Sequence, residues 1–162
     1  MLPGVEKARR HLVADLRPME PPATALELRH PTDADAEALA VLMLDAYTGT
    51  IDYDGEDLDD ARAEVAAWMR SGGRSSEHSF VAADRSRLVS AILVGIGDGM
   101  PVISYVMTAA SYKGRGFATG LMQVSMASLH AAGYGRVELW VTVGNEPAEG
   151  IYERLGFRDV AV

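Results

Sequence analysis

The sequence predicts an α/β fold: a mixed, mostly antiparallel central sheet flanked by helices, in the order β-α-α-β-β-β-α-β-α-β. Three observations carry this expectation. Two segments with apolar residues at three- and four-residue spacing stand in the first half, as amphipathic helices do. Three strand-like segments separated by short polar or glycine turns come next, the pattern of an antiparallel meander. A glycine-rich turn then leads from the last of these into a long helical segment, followed by a strand, a short helix and a final strand.

Residues 11–17 read either as a short strand or as a helical turn, and Pro18, Pro21 and Pro22 end it on either reading. Residues 1–23 are therefore set apart as an amino-terminal appendage, with the domain proper at 24–162. Ala25, Leu26, Glu27, Leu28 and Arg29 alternate as a first strand. Thr32 with Asp35 three residues on is a capping-box pattern that starts a helix. That helix aligns Leu39, Leu42, Met43, Ala46 and Tyr47, and a second, Leu58 to Arg70, aligns Leu58, Ala61, Val65, Trp68 and Met69. Between them lies an acidic loop with Asp52, Asp54, Glu56, Asp57, Asp59 and Asp60. Strands are expected at 80–83, 88–96 and 102–108. A helix at about 116–132 carries Leu121, Met122, Ser125 and Leu129 in line, and Gly133 is placed to end it. Val137, Leu139, Val141 and Val143 alternate with Glu138, Trp140 and Thr142 as a strand. Asn145-Glu146-Pro147 opens a short helix, Gly156 closes it, and 157–162 returns as a strand.

A chain of 162 residues fits one domain with a genuine core. Its content of 48% apolar and 23% charged residues is that of a globular protein. The absence of cysteine excludes a disulfide scaffold, a thiol nucleophile and cysteine-based zinc sites. His11, His30, His78 and His130 have no spacing that suggests a metal site, so no metal is expected. A net charge of −8 argues against nucleic acid as a partner, which needs a basic face. No apolar run approaches a membrane span, and no apolar core comes after the charges of the first ten residues as in a signal peptide. The expected location is the cytoplasm.

The turn Lys113-Gly114-Arg115-Gly116-Phe117-Ala118 carries the chemistry. Glycines allow close approach of a ligand, and the first turn of a helix has N–H groups without intrahelical partners. Those groups and the helix dipole suit a phosphate, and Lys113 and Arg115 add local positive charge. Gly114-x-Gly116-x-x-x-Gly120 also looks like a dinucleotide fingerprint. A meander precedes it, however, whereas such a fingerprint belongs in the first βαβ unit of two halves.

A second segment gives the turn its meaning. Asn145-x-x-Ala148-x-x-x-Tyr152-Glu153-Arg154-Leu155-Gly156-Phe157 resembles the closing motif of the GCN5-related N-acetyltransferases (GNAT). Lys113-x-x-Gly116-x-Ala118 resembles that family's Gln/Arg-x-x-Gly-x-Gly/Ala turn. The resemblance implies the GNAT fold over residues 24–162 and acetyl-CoA as cosubstrate, without a metal. It implies that the backbone N–H groups of Gly114, Arg115, Gly116, Phe117, Ala118 and Thr119 hold the pyrophosphate. Val106, Met107 and Thr108 would pair with the pantetheine arm in an opening between the strands at 102–108 and 137–143. An N–H near Met107 or Thr108 would polarise the thioester carbonyl. Asn145 would contact the cofactor, and Tyr152 would protonate the departing thiolate.

The implied reaction is transfer of an acetyl group to a primary amine of a small molecule or protein; the alternative is a non-catalytic acyl-CoA-binding module of the same fold. The general base is open among Glu138, Asp52 and Glu56. The acidic loop either favours a cationic acceptor or is simply solvated, and Tyr47, Ile51 and Tyr53 beside it would suit an apolar pocket. Two departures from the family pattern are conservative: Lys113 for glutamine or arginine, and Ala110 for a common proline. A third is larger. Residues 158–162 are too few for the usual last two strands, so either the sheet ends early, or the amino-terminal segment or a second subunit covers its edge. A homodimer is one expected solution.

Overall fold

Seven strands in the order β2-β3-β4-β5-β6-β1-β7 make one sheet in the computed structural model, which describes residues 7–23 and 26–161. The elements are β1 (Arg9–Asp15), β2 (Glu27–Arg29), α1 (Ala36–Tyr47), α2 (Leu58–Arg70), β3 (Phe80–Asp84), β4 (Arg87–Gly97), β5 (Met100–Thr108), α3 (Phe117–Ala131), β6 (Arg136–Thr142), α4 (Glu146–Arg154) and β7 (Arg158–Asp159). Every pairing is antiparallel except β5 with β6. The expected mixed, mostly antiparallel sheet with flanking helices is the one found.

Local chemistry sets the boundaries. Asp35 accepts the Thr32 N–H at 2.7 Å, and a short 3-10 turn at Asp33–Asp35 leads into α1. At α2 the capping box is Asp57 with Asp60, each accepting the other's N–H at 2.9 Å. The β4–β5 hairpin turns on Asp98 and Gly99, both at positive φ as its tight connection requires. Side chains of the central strands alternate between two cores. Val89, Ala91 and Leu93 pack with Leu39, Met43, Val65 and Trp68 under α1 and α2. Ile92 and Val94 pack with Leu121, Met126, Leu129 and Leu139 under α3.

Of the ways the sequence leaves open to cover the sheet edge, the structure takes the amino-terminal segment. Residues 9–15, assigned to an appendage, form β1, which pairs with β6 over seven residues, from Arg9 opposite Thr142 to Asp15 opposite Arg136. Leu12, Ala14 and Leu16 are buried in the α3-side core. The sheet thus crosses the boundary drawn at residue 24. The physical reason is the edge problem: β7 is only two residues long and cannot cover β6, and β1 of the same chain does so. The strand expected at 157–162 is correspondingly reduced to Arg158–Asp159. Ala25 of the expected first strand and Val162 of the last lie outside the described residues. No helix among the described residues is long and apolar enough to cross a membrane.

Candidate active site

The site begins where two parallel strands part. β5 and β6 share a single paired position, Val102 with Glu138. Beyond it they diverge, leaving one side of residues 103–108 without a partner strand. A register shift in the β4–β5 ladder, with Leu93 opposite Tyr105 but Val94 opposite Ile103, makes Ser104 an extra residue in β5. Such a bulge bends a strand and re-aims its side chains. Tyr105 consequently faces α2, where its hydroxyl donates to Glu64 at 2.5 Å; burial and this bond push its pKa well above the usual tyrosine value.

The ladder also fixes which amides face the opening. The Ala109 N–H donates to the Val89 carbonyl at 2.8 Å, and alternation makes Met107 face β4 in the same way. The N–H groups of Val106 and Thr108 therefore point toward the opening. Met107 itself is buried, with its side chain in the core under α1.

At the end of β5, a 3-10 turn at Ala110–Tyr112 leads to the glycine turn. Its first amide, on Ala110, donates to Asp45 of α1 at 2.9 Å. Gly114 and Gly116 have φ of 77° and 85°, and a Cβ built on either would meet nothing within 4 Å. Only glycine takes this conformation without strain, and the space beside the backbone is open. The N–H groups of Gly114, Arg115, Gly116, Phe117, Ala118 and Thr119 make no backbone hydrogen bond among the described residues; the ladder of α3 starts with the Gly120 N–H to the Gly116 carbonyl. Among the described residues the turn is thus a row of unbonded donors at a helix N-terminus. Its two cations differ. The Lys113 ammonium donates to the Ala46 carbonyl at 2.6 Å and ties the turn to the end of α1. The Arg115 guanidinium lies 4.9 Å from the centre of the Tyr112 ring.

On the α1–α2 side, a cleft of about 1780 Å³ opens beside β5 and β6. Its walls include Tyr47, Asp52, Tyr105, Trp140, Thr142, Asn145 and Tyr152, and the acidic residues Asp54, Glu56, Asp60 and Glu64. Lys7 and Arg9 also line it, and Lys7 pairs with Asp54 at 2.9 Å. Tyr152, on α4, is half-buried with its ring 5.8 Å from that of Phe157, and its hydroxyl bonds to no described residue. Burial, then the Asp52 charge, pushes its pKa up to about 12. Burial and the nearby Tyr152 and Asp52 likewise hold the Tyr47 hydroxyl far above its usual range.

Asn145 and Glu138 are both engaged within the protein. The Asn145 side-chain oxygen caps α4 by accepting the Ala148 N–H at 3.4 Å, and its amide donates to Asp52 at 3.3 Å. Glu138 sits at the closed end of the opening, outside the cleft lining, with its carboxylate 2.8 Å from His11 Nε2. His11 stacks on Trp140 at 4.1 Å between ring centres. Sequence reasoning misses the part played here by His11, Thr142 and the Ser104 bulge. Only the strand reading of 11–17 and the polar face of 137–143 hint at the first two.

Known proteins resemble the chain in sequence and in fold. The family model described as Acetyltransferase (GNAT) family matches residues 37–157. N-alpha-acetyltransferase 30 of Schizosaccharomyces pombe is 36% identical over 86 residues, covering 50% of this chain and 57% of that protein. A GCN5-related N-acetyltransferase from Sphaerobacter thermophilus superposes with a TM-score of 0.74 at 18% identity, over 94% of this chain and 48% of that one. The PaiA N-acetyltransferase from Thermoplasma acidophilum, solved with coenzyme A, gives 0.66 at 16% identity over 83% and 91%. The chain therefore spans little more than half of the yeast relative and about half of the Sphaerobacter chain. With the free amides of the glycine turn, the parted strands and a family match over most of its length, the chain belongs to the acetyltransferase (GNAT) family.

Proposed function

We propose that this chain transfers an acetyl group from acetyl-CoA directly to a primary amine of a small molecule or protein. The observation that carries the reading is the continuity of β5: its unpaired side faces the opening, and its end feeds the row of free amides at Gly114 to Thr119. The turn suits a pyrophosphate, and the outward N–H groups of Val106 and Thr108 suit the amides and thioester carbonyl of an extended acyl-pantetheine arm. The coenzyme A in the PaiA structure supports this choice of donor. Of the two residues considered for the carbonyl, parity favours Thr108 over Met107.

In this reading Tyr152, on the cleft wall, meets the leaving sulfur, and its chemistry is more restrained than full proton donation. A hydroxyl with a pKa of about 12 is a weaker acid than an alkyl thiol, near 8.5. Complete transfer to the thiolate runs uphill. Tyr152 thus acts first as a hydrogen-bond donor to the developing negative charge.

Initial rates with acetyl-CoA and amine both varied test the direct transfer. Intersecting double-reciprocal lines are expected for a ternary complex; parallel lines signal a covalent acyl-enzyme and contradict it. A binding module of the same fold gives no amine-dependent rate.

A further inference from the structure

We propose that Asp52, held by Thr142 and Asn145 at the open end of the gap between β5 and β6, takes the proton from the acceptor's nitrogen. The assignment rests on the acetyl-transfer reading and names the base within it. Asp52 lies in the loop after α1, and that loop is folded tightly on the helix end: Thr50 N–H donates to the Tyr47 carbonyl at 3.0 Å, and Tyr53 N–H to the Thr50 carbonyl at 3.1 Å. The loop docks on the β6–α4 junction, where a Cβ added to Gly144 would come within 3.3 Å of Ile51 Cδ1. This docking puts the carboxylate on the cleft wall that also carries Tyr152. One oxygen accepts the Thr142 hydroxyl at 2.5 Å and the other the Asn145 amide at 3.3 Å. A carboxylate has about four acceptor positions, so each oxygen retains one for an incoming N–H.

Glu138 does not match this placement, because it is bonded to His11 at the closed end of the opening. The acids Asp54, Glu56, Asp60 and Glu64 line the cleft as well, but Asp52 alone among them bonds both to the end of β6 and to the residue that caps α4.

The acceptor enters the transfer step as the neutral amine, its ammonium proton already lost to solvent, and the nitrogen lone pair forms the C–N bond to the thioester carbonyl carbon. The C–S bond breaks with its electrons on sulfur, and the nitrogen's proton passes to Asp52. The products are the amide and the thiolate. Neutralising Asp52 removes one of the two causes that hold the Tyr152 proton, so the hydroxyl becomes a better donor as the thiolate leaves. The proton on Asp52 then returns to solvent.

The test uses the full chain with Asp52→Asn and Asp52→Ala. At saturating amine, kcat is expected to fall by about 100-fold or more in both, the usual scale for a general base. The KM for acetyl-CoA and its thermal shift stay within twofold of wild type, and added formate restores rate to Asp52→Ala but not to Asp52→Asn. Should Asp52→Ala fail to fold, Asp52→Asn keeps the shape and carries the kcat and cofactor readouts. A kcat within tenfold of wild type, loss of the acetyl-CoA shift, or no recovery with formate in a folded Asp52→Ala overturns the assignment and leaves acetyl transfer standing. A wild-type chain that releases no CoA with any amine overturns the acetyl-transfer reading itself, and the assignment with it.

Discussion

His11 Nε2 and the Glu138 carboxylate meet at 2.8 Å across the β1–β6 pair, and the same imidazole lies flat on Trp140. This joins a strand from the amino-terminal segment to the wall of the cleft. β1 therefore has two roles in the fold. It covers the free edge of β6, and it occupies the carboxylate that the sequence offers first as a base.

The core contribution of β1 is measurable. Leu12 is 3% exposed and packs beneath α3, so Leu12→Ala should destabilise by about 2–5 kcal/mol. Denaturant unfolding of the two chains checks this. A loss under about 0.5 kcal/mol would mean that the strand is peripheral to stability.

Gly116 should be intolerant for two separable reasons. Its φ of 85° costs a side-chain-bearing residue roughly 1–2 kcal/mol, and the added Cβ would enter the open space beside the free amides. Gly116→Ala should lower stability by about that amount and weaken acetyl-CoA binding about tenfold or more, read by calorimetry. Unchanged binding would place the pyrophosphate elsewhere.

Tyr152→Phe removes only a hydroxyl that bonds to no described residue, so stability and acetyl-CoA affinity should hardly change. The kcat should fall about 10- to 100-fold if the hydroxyl meets the leaving sulfur. An unchanged kcat would assign Tyr152 to packing against Phe157.

His78 gives a pH dependence of stability. It is 6% exposed and bonded through Nδ1 to Ser128 at 2.7 Å, and burial lowers its pKa below the usual 6.5, with Glu77 opposing and His30 adding to the shift. Below about 6.5 the unfolded chain binds this proton more readily than the folded one, so stability is full above that pH and declines as pH falls below it. The Tm should drop from pH 7 to pH 5, and His78→Gln should flatten the decline. Asp35, whose carboxyl the Arg29 guanidinium holds below its usual value, loses its contribution only in a more acid window.

Much of the fold is legible in the sequence because it is local. Period-3.6 spacing locates α1 and α2, the turn glycines mark the start of α3, and Asn145 with Tyr152 and Gly156-Phe157 marks α4. The features that escape depend on pairing between distant segments. Residues 11–17 read equally as a strand or as a helical turn, and nothing local says that their partner is β6. Asp52 looks like one acid among several in a loop, and Thr142 like a solvent-facing strand residue. Their 2.5 Å contact spans 90 positions and comes with the folding of the Asp52 loop against the β6–α4 junction, where Ile51 lies beside Gly144. Likewise the Ser104 bulge lives in a ladder mismatch, not in any residue type.

The most direct measurement is the initial rate of CoA thiol release from acetyl-CoA, with and without a panel of primary amines. Release that requires an amine, saturates in both substrates and matches the acetylated amine formed one for one is the predicted result. Binding of acetyl-CoA without amine-dependent release from any acceptor would contradict it, and would leave the parted strands and the glycine turn as a binding site alone.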